Sequence, residues 1–376
     1  MKLKFLSLLL AVGSLQAAES LVYEGEEGIG KGKHIVFLAN DHEYRSEQSC
    51  PLMAKLMAKN HGFRCTVLFG LNEDGEINPG AKSVPGTEAL KDADMLFFFA
   101  RFMELPDEQV DHIANYFERG GPAVALRTST HCFNGQKGKW SKFNFNYKGE
   151  DYPGGLGKQI FGHTWGKNDG QQHYGGNHKQ GNRMIPVKES ASHPILSGVE
   201  MAHAYSGAYS SSLPAGATAL MEVQVLNTFD PSDKIAKNKP LVTSCWCREE
   251  YTAPSGEKKK ARNVYASYGA SEDLLDENTR RLFANATLWA MGMEESIKPD
   301  LNVEIVGEFN PSPYTTGSFF FKGVKPAELA GWESSIMPKD AELAGLDTEN
   351  KNEKKQSRTA RVFKNRPEMA KKLLKK

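Results

Sequence analysis

The chain has 376 residues, with 47 Lys and Arg against 46 Asp and Glu and a net charge of +1. That balance excludes the basic field that sequence-independent nucleic-acid binding requires. At 39% apolar and 25% charged residues it is an ordinary globular chain, long enough for one large domain or two smaller ones, and its five scattered cysteines make no disulfide framework.

Met1-Lys2-Leu3-Lys4 is a basic start, Phe5–Val12 a short apolar run and Gly13-Ser14-Leu15-Gln16-Ala17-Ala18 a small-residue stretch. Together they predict a secretory signal over residues 1–18, cut near Ala17 or Ala18, and export to the periplasm or beyond. The run is too short to span a bilayer, and no later segment is long and apolar enough.

Residues 33 to 127 alternate strand and helix. His34–Ala39 reads as a strand, Ser46–Asn60 as a helix stopped by His61-Gly62, and Arg64–Phe69 as a second strand. A short helix over Thr87–Ala93 leads to the wholly apolar strand Met95–Ala100. In Pro106–Arg119, Val110, Ile113, Ala114 and Phe117 share one helical face, and Gly120-Gly121 ends the helix. Ala123–Leu126 is the fourth strand. Apolar strands separated by helices imply a doubly wound, mostly parallel α/β sheet with helices on both faces.

Residues 134–182 form a long insertion rich in Gly, Asn, Lys and aromatics, a length often tied to function. Strands are expected at Arg183–Pro186, Ala217–Val225, Leu241–Trp246 and Val264–Ser267, then a helix over Glu277–Met291. The expected division is a signal at 1–18, a domain at 33–296 and an extension at 297–376 whose end, from Asn350, is a basic, loosely ordered tail.

Three of the strands end in polar clusters: Asn40-Asp41-His42-Glu43-Tyr44-Arg45, Arg101, and Arg127-Thr128-Ser129-Thr130-His131. Ligands of open α/β sheets bind outside the carboxyl ends of the strands. Asp41, Arg101, Arg127, His131 and the insertion residue His163 are therefore expected to line one pocket. A carboxylate and imidazoles there suit proton transfer, which gives Asp41, His131 and His163 as candidate catalytic residues. Arg45, Arg101, Arg127 and Thr128 are candidate substrate ligands, although each arginine has a plainer role in pairing with Asp41, Glu43 or Glu104. Among the aromatics of the insertion, Trp165 and Tyr174 are the candidates for stacking on a sugar ring.

His131, His163, His173 and His178 follow the fourth strand. His131, His163 and His173 are the candidate ligands of a zinc-like divalent metal, which Asp41, His42 or Glu43 would complete. The plainer reading is a polar loop with structural histidines. His131 itself is expected to be exposed, so that its replacement costs little stability.

The same landmarks carry a family resemblance. D-H-E-Y-R-S at Asp41–Ser46, I-N-P-G at Ile77–Gly80, R-F-M-E-L-P-D-E-Q at Arg101–Gln109 and A-L-R-T-S-T-H-C-F at Ala125–Phe133 resemble the ThuA-like (trehalose utilisation) family. So do F-G-H-T-W at Phe161–Trp165, S-H-P-I-L-S-G-V at Ser192–Val199, Y-G-A-S-E-D-L-L at Tyr268–Leu275 and R-R-L-F-A-N-A-T-L-W-A-M-G at Arg280–Gly292. The resemblance covers roughly residues 33–310 and implies the class I glutamine amidotransferase-like fold, with a flavodoxin-like sheet. It also implies sugar metabolism, with oxidised (3-keto) disaccharides as the expected chemistry. Where amidotransferases of this superfamily carry a nucleophilic Cys, this chain has Arg127-Thr128-Ser129, with Cys132 a few residues on, so glutamine hydrolysis is not expected.

The leading expectation is an exported enzyme of carbohydrate catabolism acting on a keto-sugar or glycoside. The alternatives are a non-catalytic carbohydrate-binding or scaffold protein and a metal-dependent hydrolase. The expected partner is a small-molecule sugar, with self-association into a homo-oligomer left open.

Overall fold

The computed structural model describes residues 20–166, 170–175, 180–314, 320–336 and 343–344. In chain order the elements are β1 (Ser20–Glu24), β2 (His34–Asn40), α1 (Ser46–His61), β3 (Arg64–Phe69), β4 (Met95–Ala100), α2 (Asp107–Glu118) and β5 (Ala123–Leu126). After a 3-10 turn over Arg127–His131 come α3 (Gly155–Phe161), β6 (Gln172–Tyr174), β7 (Asn182–Pro186), β8 (Ala202–Ala204) and β9 (Ala208–Ser210). Then follow β10 (Thr218–Val225), β11 (Val242–Thr252), β12 (Lys258–Ala266) and α4 (Glu277–Ala290).

The main sheet has ten strands in the order β1-β3-β2-β4-β5-β12-β11-β10-β7-β8. Its centre, β3-β2-β4-β5-β12, is parallel. Numbered by their own succession these five strands run 2-1-3-4-5, the flavodoxin-like order, whose switch point lies between β2 and β4. The expected fold class is the one observed. Side chains alternate across the pleat: Phe37, Phe97 and Val124 pack with α1 and α4, whereas Val36, Leu38, Phe98 and Ala125 pack with α2 and α3. Both faces are covered, which is why β4 is apolar throughout and buried throughout.

Beyond β12 the sheet continues as an antiparallel wing of β11, β10, β7 and β8. β11 and β12 run well past their expected ends, as a hairpin whose polar stretch pairs Glu250 with Lys260. One strand lies outside the expected domain: β1 pairs antiparallel with β3 and buries Leu21 and Tyr23. All five cysteines are buried, and none forms a disulfide.

The expected boundary at residue 297 is not a break in packing. Ile297, Leu301, Val303, Phe309, Tyr314, Val324, Leu329 and Ile336 belong to the α1/α4 core. The Tyr23 hydroxyl donates to Leu329 O at 2.8 Å, and Trp332 stacks on the Tyr23 ring. The expected signal segment and the basic tail from Asn350 lie outside the described residues. Among the described residues, no helix is long and apolar enough to cross a membrane.

Candidate functional site

The polar strand ends converge at the switch point, and the backbone there is strained. Arg45, Phe102 and Arg127, in the exits of β2, β4 and β5, have φ of 65°, 50° and 44°. Left-handed geometry at a non-glycine residue costs on the order of 1–3 kcal/mol and concentrates where function over-determines the backbone. Arg127 occupies the sharp turn after β5.

A bracing layer holds these exits together. Asp41 Oδ1 accepts the backbone N–H groups of Glu43 and Tyr44 at 2.7 and 2.6 Å, and its Oδ2 accepts the Thr128 hydroxyl. Ser129 Oγ donates to Phe98 O at 2.8 Å, tying β5 to β4. Asp41, Thr128 and Ser129 are all fully buried, so their polar atoms are committed to the scaffold. Asp41, expected as a proton-transfer residue, and Thr128, expected as a substrate ligand, thus brace the strand exits beneath the cluster.

Above this layer lies a continuous cluster. Arg101 pairs through Nε with Glu43 Oε2 at 2.9 Å, donates through Nη1 to His42 Nε2 at 3.1 Å, and lies over the Phe102 ring. Phe102 contacts His131, with ring centroids 5.3 Å apart. His131 in turn contacts Trp165 at 5.0 Å, and Trp165 contacts both His173 and Tyr209 at 4.9 Å. The Tyr209 and Tyr44 rings both lie against the Arg127 guanidinium, with ring centroids 4.8 and 3.6 Å from it.

Burial governs the protonation of this cluster. His131 is only 3% exposed, which corrects the expectation of an exposed loop residue. Desolvation, aided by Arg101, His173 and Arg127, holds its pKa well below that of a free imidazole. Desolvation likewise lowers His42 to about 4 and raises the Glu43 carboxyl, the latter opposed by Arg101. The Thr130 hydroxyl donates to Gln171 Oε1 at 2.7 Å, so its oxygen is left to accept from His131 Nδ1 at 3.3 Å. That network assigns the His131 proton to Nδ1 and the lone pair to Nε2.

Of the sequence candidates, the structure brings Arg101, Arg127, His131, Trp165 and His173 into this one cluster. Three others are elsewhere. His163 is bonded through Nε2 to Ser212 O at 2.6 Å and packs edge-on against Trp246. Arg45 is fully buried, pairs with Glu47 at 3.6 Å and donates to Pro313 O. Tyr174 follows His173 on β6 and so faces the opposite way, with its hydroxyl on Pro240 O and its ring under Lys239. The expected metal set of His131, His163 and His173 is therefore not assembled. Among the described residues no three His, Cys, Asp or Glu side chains are grouped to hold a metal, and His178 lies outside those residues.

Four participants were not anticipated: Tyr44, Phe102, Gln171 and Tyr209. Tyr209 arrives by the pairing of β6 with β9, which sets it opposite His173. That contact is nonlocal and has no local sequence signal. Phe102 had one, since it adjoins the expected Arg101. Cys132 is 1% exposed, and burial pushes its thiol up, away from the thiolate a nucleophile needs.

No family model matches the chain, and no curated protein matches it. Among solved structures, it is similar to a protein from Parabacteroides merdae described as thua-like, at 12% identity and a TM-score of 0.39, over 76% of this chain and 95% of the other. It is also similar to the glutaminase domain of Trypanosoma brucei CTPS with bound acivicin, at 11% identity and a TM-score of 0.34, over 73% and 97% of the two chains. The fold itself rests on the strand order.

Proposed function

We propose that this chain is an exported enzyme of carbohydrate catabolism that moves a proton on a keto-sugar or related glycoside, with His131 as the base. The observation that carries the reading is a desolvated imidazole, neutral at physiological pH, with its lone pair on Nε2 and aromatic walls from Phe102, Trp165 and Tyr209. Flat aromatic faces suit the apolar face of a pyranose. In this reading Nε2 takes the proton from the carbon beside the keto group, and the C–H electron pair moves onto the carbonyl oxygen. Arg101, whose side chain is 22% exposed, supplies the positive charge that stabilises the developing oxyanion. The imidazolium then returns its proton, either to the former carbonyl carbon in isomerisation, as the proton of the neighbouring hydroxyl passes to the oxyanion, or to the departing glycosidic oxygen in elimination.

Export rests on the basic start and apolar run of the first 18 residues. A second reading, a non-catalytic sugar-binding protein, is favoured by the near-complete burial of His131. A turnover assay of His131→Gln on a panel of 3-keto-glucosides separates the two. The enzyme reading expects a loss of about 10²–10⁴-fold with the fold retained. Undiminished turnover in the variant would overturn it.

A further inference from the structure

The three arginines of the strand exits differ in one respect. Arg45 pairs with Glu47 and Arg101 with Glu43, whereas among the described residues no carboxylate forms an ion pair with Arg127. Arg127 is fully buried, and all three of its side-chain hydrogen bonds leave from Nη1, to Ser206 Oγ at 2.8 Å, Gly207 O at 2.8 Å and Ser267 O at 3.0 Å. Every one of these acceptors is uncharged. Asp273 reaches the guanidinium only through Ser206, and it is itself saturated by the N–H groups of Tyr205, Ser206, Gly269 and Ala270.

Nε and Nη2 of Arg127 are buried and have no hydrogen-bond partner. These two groups form one side-on edge of the planar fork, the edge whose parallel N–H bonds match the two oxygens of a carboxylate. The Tyr209 hydroxyl, on the ring stacked against the same guanidinium, is also buried and unpartnered. A buried donor left unsatisfied forfeits its hydration without replacement, so a fold that keeps three of them together has a use for them.

We propose that the substrate carries a carboxylate, seated on the Nε/Nη2 edge of Arg127 with the Tyr209 hydroxyl as a third donor: an acidic sugar, of the uronate class. This rests on the reading of the pocket as a sugar site. A monoanion fits better than a phosphate dianion, because the Glu43 and Asp41 carboxyls at the same strand exits oppose a second negative charge. The edge is closed to solvent, so the acid is admitted by a shift of the element carrying Tyr209. That element is the β6–β9 ribbon, three residues a strand and separate from the main sheet, the kind of pairing that is marginal alone.

The test is calorimetric titration of the full chain with D-glucuronate and D-galacturonate against D-glucose and D-galactose. The uronates should bind at least about 10-fold more tightly, the ratio that about 1.4 kcal/mol represents. Arg127→Lys keeps the charge but removes the fork, and should erase that preference. Tyr209→Phe should weaken only the uronates; it carries the test if the Lys variant fails to fold. Equal binding of acidic and neutral sugars by the wild type, or a preference that survives in both variants, overturns the proposal. Uronate binding without turnover of any keto-sugar would retract the acid–base reading and leave this seat standing. Turnover of neutral keto-glucosides with no uronate preference would do the reverse.

Discussion

The Thr128 hydroxyl donates to Oδ2 of Asp41, and so ties the exit of β5 to the exit of β2 beneath the cluster. Both residues are fully buried. Thr128→Val keeps the shape and leaves a buried carboxylate oxygen without its donor, a loss of about 1–3 kcal/mol. Thr128→Ser should keep most of the stability. Denaturant midpoints of the two variants check this. If Thr128 instead binds substrate, Val would leave the midpoint in place and reduce activity alone.

Gly157 makes the next support. A Cβ there would lie 2.1 Å from the Thr130 carbonyl oxygen, a backbone atom that cannot swing aside. α3 therefore packs directly on the turn that carries His131. Gly157→Ala should cost at least about 1–3 kcal/mol through overpacking, and should weaken sugar binding as the turn is displaced. An unchanged melting temperature would show that α3 has room to move.

The parallel core was legible because its signals are local. β4 is an unbroken apolar run between a short helix and an amphipathic one, and strand ends mark the binding side of such a sheet whatever their contents. Within the site the reach of sequence was shorter. Arg127 can be placed at a strand end, but neither its φ of 44° nor its contact with the Tyr44 and Tyr209 rings is written in neighbouring residues. His163 shows that closeness along the insertion does not set which partners a residue meets. Gly162, at φ 97°, turns the chain after α3 so that His163 meets Trp246 while Trp165 meets His131. Tyr174 differs for a simpler reason: on β6 it is one residue out of phase with His173.

Acid sensitivity follows from histidines that the fold holds neutral. His203, on β8, is 3% exposed and is lowered from 6.5 to about 4, chiefly by burial and then by Arg183. A depressed histidine binds fewer protons folded than unfolded. Its contribution is complete above pH 6.5 and is lost as pH falls toward about 4, at about 1.4 kcal/mol per pH unit. Glu47 has the opposite sign: burial raises it to about 7 from 4.5, so its contribution is full below pH 4.5 and declines as pH rises through about 7. Comparing the stability of wild type and His203→Leu at pH 7 and pH 5 isolates the histidine. The variant should lose less than the wild type on acidification, and equal losses would reject the assignment.

Tyr314 connects the C-terminal segment to the site. It is 4% exposed and stacks on Tyr44 with ring centroids 5.4 Å apart, while Tyr44 presses its ring onto Arg127. The Pro313 carbonyl beside it accepts from Arg45, and Ser312 is tied to Gln48. Residues 312–314 therefore clamp the loop between β2 and α1 from outside. Tyr314→Leu keeps much of the apolar volume and removes the stacked pair, which is worth about 0.5–1.5 kcal/mol beyond its buried area. We expect the melting temperature to fall and sugar affinity to fall with it, because Tyr44 loses the ring that fixes its angle over Arg127. Tyr314→Phe keeps the ring and should restore both. A Leu variant that is destabilised but binds normally would separate the clamp from the site, and would limit Tyr314 to the stability of the fold.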